Sequence, residues 1–136
     1  MMYEFEVPGK ITGKGRPRVN TNTAIAYTPA KTKEYEELIK QYFILKYRKI
    51  APLEGRLAVT LKAYVGIPKS ASKKMKEEML AGVVSPTKKP DIDNIAKVVL
   101  DALNKLAFQD DNQITKLVIE KEYAEEEKIQ VKIEQY

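Results

Sequence analysis

The sequence predicts a single α+β domain over residues 1–136: a mixed β-sheet with helices, in the order strand, helix, strand, helix, strand, strand. Three observations carry this. Leu57, Val59, Leu61, Ala63 and Val65 fall in one phase, with Arg56, Thr60, Lys62 and Tyr64 in the other, which is the period of a half-buried strand. Tyr35, Leu38, Ile39, Tyr42 and Leu45 recur at helical spacing. From Ile92 to Ala107 apolar residues cover most of a helix circumference, as a largely buried helix requires. No repeat and no composition break divides the chain.

The elements follow in order. Tyr3, Phe5 and Val7 alternate with Glu4 and Glu6, a short strand that Pro8-Gly9 ends. Residues 9–28 read as a loop rich in Gly, Pro, Asn and Thr. Thr28-Pro29 reads as an N-cap with proline at the first helical position, opening a helix over 30–48. The strand at 56–65 closes at Gly66 and Pro68, and a short basic helix over 70–81 stops at Gly82. A loop over 83–91 leads to a helix over 93–108. A turn at Gln109-Asp110-Asp111-Asn112 precedes a strand near 114–123. After a charged turn, Ile129, Val131 and Ile133 form the last strand, expected to pair with its predecessor as an antiparallel hairpin.

Composition limits the chemistry. The chain has no Cys and no His. Thiolate nucleophiles, disulfides, imidazole bases and the usual zinc sites are therefore excluded. Any enzyme built here works with carboxylates, Lys, Tyr or a metal held by oxygen, which favours Mg²⁺, Mn²⁺ or Ca²⁺. No apolar run approaches a membrane span, and no signal-peptide core follows Met1, so the expected location is the cytoplasm. Charge is uneven. Residues 1–90 carry 18 Lys/Arg against 8 Asp/Glu, a balance of +10, whereas residues 91–136 carry 6 against 11, a balance of −5. A basic body with an acidic portion suits a polyanion-binding protein that also holds a cation. A solvated surface with uneven charge is the plainer alternative.

The informative stretch is residues 89–111, KPDIDNIAKVVLDALNKLAFQDD. Its polar residues Asp93, Asn94, Lys97, Asp101, Asn104 and Lys105 fall within an arc of roughly 120° on a helix. Each has an ordinary explanation. Asp91 or Asp93 can cap the helix. Asp93, Lys97 and Asp101 can form an ion-pair ladder. Asp110-Asp111 can be a turn. One aspartate explains a cap, but two followed by a further acidic pair ask for more. Crowded carboxylates repel one another unless a cation neutralises them. A divalent ion is the natural partner, and phosphodiester hydrolysis assisted by such an ion needs no imidazole.

The order Asp91-Ile92-Asp93-Asn94, Lys97, Asp101-Ala102-Leu103, Asp110-Asp111 and then Gln113 resembles the RusA family of Holliday-junction resolvases. The resemblance covers nearly the whole chain in length and element order, and is residue-specific over 89–113. It implies a homodimeric, Mg²⁺-dependent endonuclease acting on four-way junction DNA in recombination and repair, of a kind often carried by prophages. It implies Asp91, Asp93 and Asp111 as metal ligands and Lys97 as the active-site lysine, which stabilises developing charge or positions water. The spacing from helix to acidic pair is slightly shorter than the family's, which leaves Asp110 open as an alternative to Asp111. Some members have a basic residue where Pro90 stands, so Lys89 or Lys88 takes its place.

DNA contacts are expected from Lys14, Arg16 and Arg18, which flank Gly15 and Pro17 in the long loop, and from Lys88, Lys89 and Asn94. A flexible solvated loop is the alternative for the first three. Two other classes compete with the nuclease. A basic DNA-binding module with no activity would bind without metal and not nick. A Mg²⁺-dependent phosphatase with an Asp nucleophile would place Asp-x-Asp after a buried strand, whereas Lys-Lys-Pro precedes it here.

Overall fold

The computed structural model describes every residue except Ile50. Strand β1 spans Met2–Pro8, and two short strands, β2 (Arg18–Val19) and β3 (Ala26–Tyr27), pair within the segment expected to be loop. Helix α1 covers Ala30–Lys46, β4 Leu57–Gly66, α2 Lys73–Leu80 and α3 Ile92–Leu103. A 3₁₀ turn at Asp111–Gln113 leads into β5, Ile114–Ala124, and β6 covers Lys128–Gln135. This is the single-domain α+β architecture with a mixed sheet that the sequence predicts, with three helices.

The main sheet has the order β1-β6-β4-β5, with β4 and β5 parallel and the other pairs antiparallel. The expected β5–β6 hairpin does not form, because β4 lies between the two strands. Burial gives the reason. Ile129, Val131 and Ile133 are all fully buried, so β6 takes an interior place with both edges paired. The more charged β5, with Lys116, Glu120, Lys121 and Glu122, takes the edge. The link between them crosses the end of β4, where Gly66 N donates to Glu127 Oε1 at 3.0 Å. A β-carbon on Gly66 would sit 2.9 Å from that carboxylate, so the Glu127 side chain would have to shift to admit one.

Ladder partners share a face, so the register lays out the core in rows. Tyr3, Ile133 and Val59 form one row, Phe5, Val131 and Leu61 the next, and Val7, Ile129 and Ala63 a third. Helix α1 buries Thr32, Tyr35, Ile39 and Phe43, while Leu45 is exposed. Phe43 meets Tyr3 edge-on with ring centroids 5.0 Å apart. Helix α3 buries Ile95, Ala96, Val98, Val99, Ala102 and Leu103.

Helix ends differ from expectation in three places. Pro29, not Thr28, caps α1, and no side chain contributes. Helix α2 starts at Lys73 because the Ser72 hydroxyl caps it, accepting from Met75 N. Helix α3 stops at Leu103, where Asn104 is extended and Lys105 has φ 66°. Ala107 and Phe108 are fully buried nonetheless. They pack against residues 51–55, with Leu53 N donating to Ala107 O at 2.8 Å. Their apolar character belongs to that contact and mimics helical period.

Candidate functional site

The first turn of α3 meets the basic loop. Lys14 N donates to Asn94 O at 2.9 Å, and Gly15 N donates to the buried Thr32 hydroxyl at 3.0 Å. A β-carbon on Gly13 would lie 2.9 Å from Pro90 Cβ and 3.0 Å from Asn94 Cβ, so only glycine allows this approach. Between loop and helix runs a groove of about 850 Å³, lined by Thr12, Arg16, Lys31, Lys89, Asp91 and Asn94 among others. Lys14 also borders it, but its ammonium is held by Glu36 Oε1 at 2.6 Å and Asp101 Oδ2 at 3.1 Å. Arg18 lies outside the groove lining, on β2, and Lys88 is exposed, one residue before the groove-lining Lys89.

The acids stand as follows. Asp91 occupies the N-cap position of α3, yet its side chain makes no capping bond. Asp93, Lys97 and Asp101 lie exposed along the polar stripe. The ion-pair ladder that their spacing allows is absent: Asp101 pairs with Lys14, and neither Asp93 nor Lys97 is in an ion pair among the described residues. Both ordinary explanations for these side chains therefore fail, and the carboxylates of Asp91 and Asp93 face solvent uncommitted.

Asp110 and Asp111 sit on the turn before β5, and Gln113 shapes that turn. Its Oε1 accepts from Gln109 N at 2.8 Å and Asp110 N at 3.0 Å. Its Nε2 donates to Leu53 O and Gly55 O, both at 2.9 Å. One amide thus ties the acidic turn to the segment preceding β4. The carboxyl of Asp111 titrates above the usual aspartate range. Hydrogen bonding with the Asp110 carboxyl is the main cause, followed by burial and the charges of Asp110 and Asp101.

The structure brings Lys89, Asp91, Asn94, Lys14 and Arg16 to one groove, and Asp110 and Asp111 to the neighbourhood of Asp101. It does not gather three of Asp91, Asp93 and Asp111 into one closed cluster: among the described residues no three acidic side chains stand close enough to cage a metal.

The family model described as Endodeoxyribonuclease RusA matches residues 8–134. The chain belongs to the RusA endodeoxyribonuclease family. It is similar to the uncharacterized protein YqaN of Bacillus subtilis (strain 168), at 38% identity over 137 residues, covering 96% of this chain and 94% of YqaN. RusA endodeoxyribonucleases are hydrolases of DNA, so the basic groove beside uncommitted carboxylates belongs to a chain whose family cuts phosphodiesters.

The side chains fit a hard divalent cation. The donors are all oxygen, two carboxylates are free, and the like charges of Asp110 and Asp111, which add to their hydrogen bond in raising Asp111, are of the kind that a cation relieves. Mg²⁺ commonly takes one or two carboxylates and fills its remaining positions with water and substrate oxygens, so it needs no closed cage. Sequence reasoning missed two residues near the site. Lys31, at the start of α1, lines the groove and carried no motif signal. Lys121 on β5 did carry one, as a charge in the apolar phase of a strand.

Proposed function

We propose that this chain is a Mg²⁺-dependent, structure-selective endodeoxyribonuclease that resolves four-way DNA junctions by paired nicks, as a homodimer, in recombination and repair. The observation that carries the reading is the juxtaposition of the basic loop with Asp91 and Asn94 across one groove. A backbone phosphate gripped by Arg16, Lys31 or Lys89 is thereby delivered beside a carboxylate that the fold has left free. Asp91, Asp93 and Asp111 are the proposed ligands, with Asp110 as the alternative to Asp111. A Mg²⁺ ion held by these carboxylates would supply Lewis acidity toward the phosphoryl oxygen and a more acidic water. Lys97, unpaired on the same helix face, offers its ammonium to the charge that develops on phosphorus oxygens. Lys14 organises the loop, and Arg18, Lys88 and Asn94 extend the contact with DNA. Two-fold pairing suits a substrate that presents two equivalent strands. The expected cellular location is the cytoplasm, and no helix among the described residues is long and apolar enough to cross a membrane.

The phosphatase reading is disfavoured because a loop, not a buried strand, leads into Asp91. Incubation of a synthetic four-way junction with and without Mg²⁺ tests the proposal. Asp93→Asn is expected to bind the junction and not cut it. Cleavage by that variant at the wild-type rate would sink the assignment, and metal-independent binding without nicking by the wild type would favour the inactive binding module.

A further inference from the structure

We infer that Lys121 is a positioning residue for Asp91, an inference that rests on Asp91 being a metal ligand. The register places Lys121 opposite Ala63, in the row that continues through Ile129 to Val7. Those three partners are fully buried, so Lys121 stands on the helix-covered face of the sheet, where the strand pattern calls for an apolar residue. A charge in that phase breaks the local rule and asks for a compensating role.

Its contacts supply one. The ammonium donates to Lys88 O at 2.8 Å and to Pro90 O at 3.1 Å, and no carboxylate pairs with it among the described residues. The Pro90 carbonyl and the Asp91 nitrogen belong to one planar amide. A cation that holds this oxygen therefore sets the plane from which Asp91 departs. Asp91 has φ −72° and ψ 152°, and its carboxylate makes no capping bond. The same grip on Lys88 O shapes the turn that presents Lys89 to the groove. A residue acting through a ligand's backbone in this way orients the ligand without touching metal or DNA, and loss of such support typically costs about 10–100-fold in metal affinity or activity.

An inward lysine on an edge strand can also serve only to discourage edge pairing. The two roles separate in one experiment. Lys121→Met keeps the aliphatic stem and loses the donors, and Lys121→Arg keeps charge and donors. Cleavage of a synthetic four-way junction is followed across a Mg²⁺ titration, with junction binding in EDTA and thermal unfolding measured in parallel. Lys121→Met is expected to need about tenfold more Mg²⁺ for half-maximal cleavage, with binding in EDTA within about twofold of wild type, and Lys121→Arg to recover most of the loss. A folded Lys121→Met that aggregates but keeps the wild-type Mg²⁺ dependence overturns the inference. Should that variant not fold, Lys121→Gln, which keeps a donor of shorter reach, is read by the same two outcomes. The underlying assignment fails separately: wild-type cleavage by Asp91→Asn removes Asp91 from the site, and with it this role for Lys121.

Discussion

The Lys14 ammonium lies 3.1 Å from Asp101 Oδ2, so the basic loop is fastened to the polar stripe of α3 by an ion pair. Glu36 of α1 completes the clasp at 2.6 Å. A lysine that reads in sequence as a phosphate ligand is thus a structural link among three elements.

Lys14→Met is accordingly expected to destabilise the fold by about 1–2 kcal/mol at neutral pH, with the exposed Asp101 arm contributing the smaller share. Burial pushes the Lys14 ammonium toward a lower pKa, but the bonds from Glu36 and Asp101 outweigh it and the net value is raised. A raised folded value means the stabilisation is complete below the unfolded value near 10.5 and is lost as pH climbs through the folded one. Denaturant unfolding of wild type and variant should show a constant gap up to that pH and a narrowing gap beyond it.

Arg16 and Lys89 border the groove and make no ion pair among the described residues. Replacing either with Met is expected to leave the melting temperature unchanged and to weaken junction binding. Each neutralised phosphate contact should reduce the slope of log affinity against log salt by about one. Binding measured in EDTA over a salt series reads this directly, and an unaltered slope would remove that residue from the interface.

Lys97 separates stability from activity. With no ion pair to lose, Lys97→Met should alter unfolding free energy by no more than about 0.5 kcal/mol. Cleavage should fall by about 10²–10³-fold if its ammonium meets transition-state charge. A single-turnover assay at saturating enzyme checks this, and near-wild-type rates would assign Lys97 to the solvated surface.

The carboxyl pair predicts a pH signature. Asp111 is raised above the usual aspartate range, first by hydrogen bonding with Asp110. Its ionised form is therefore disfavoured in the folded, metal-free protein, which gains stability as pH falls through the raised value. Cation and proton compete for that carboxylate, so the acid limb of Mg²⁺-dependent cleavage should move to lower pH as Mg²⁺ is raised. Asp110→Asn should move the limb to lower pH, and Asp111→Asn should abolish cleavage. Persistence of cleavage in Asp111→Asn, with loss in Asp110→Asn, would exchange the two roles.

Gln113 holds four backbone groups at once. Gln113→Leu removes all four bonds, although solvent can reach several of the freed groups. A loss of about 1–3 kcal/mol is expected in chemical denaturation. Gln113→Glu keeps the acceptor and faces two carbonyls with a carboxylate, so it should rescue little.

Much of this molecule is legible along the chain. The phases of β1, β4 and β6, the helical spacing of α1, the polar stripe of α3 as far as Asp101 and the acidic motif are local patterns, because side-chain period and residue spacing are properties of neighbouring residues. Composition alone removed thiolate and imidazole chemistry. What the chain could not show is pairing between distant segments. Which strand flanks β4 depends on competing edges and on total burial. That competition placed β5 at the rim and β6 inside, against the local preference for a hairpin. The same holds for charges. Local spacing offered Lys97 to Asp101, but folding brought Lys14 there instead, and set the ammonium of Lys121 on β5 against the Pro90 carbonyl. Sequence determined which groups exist and on which face of each element they lie. Only tertiary structure decided which of them are already satisfied, and so which carboxylates remain free to act.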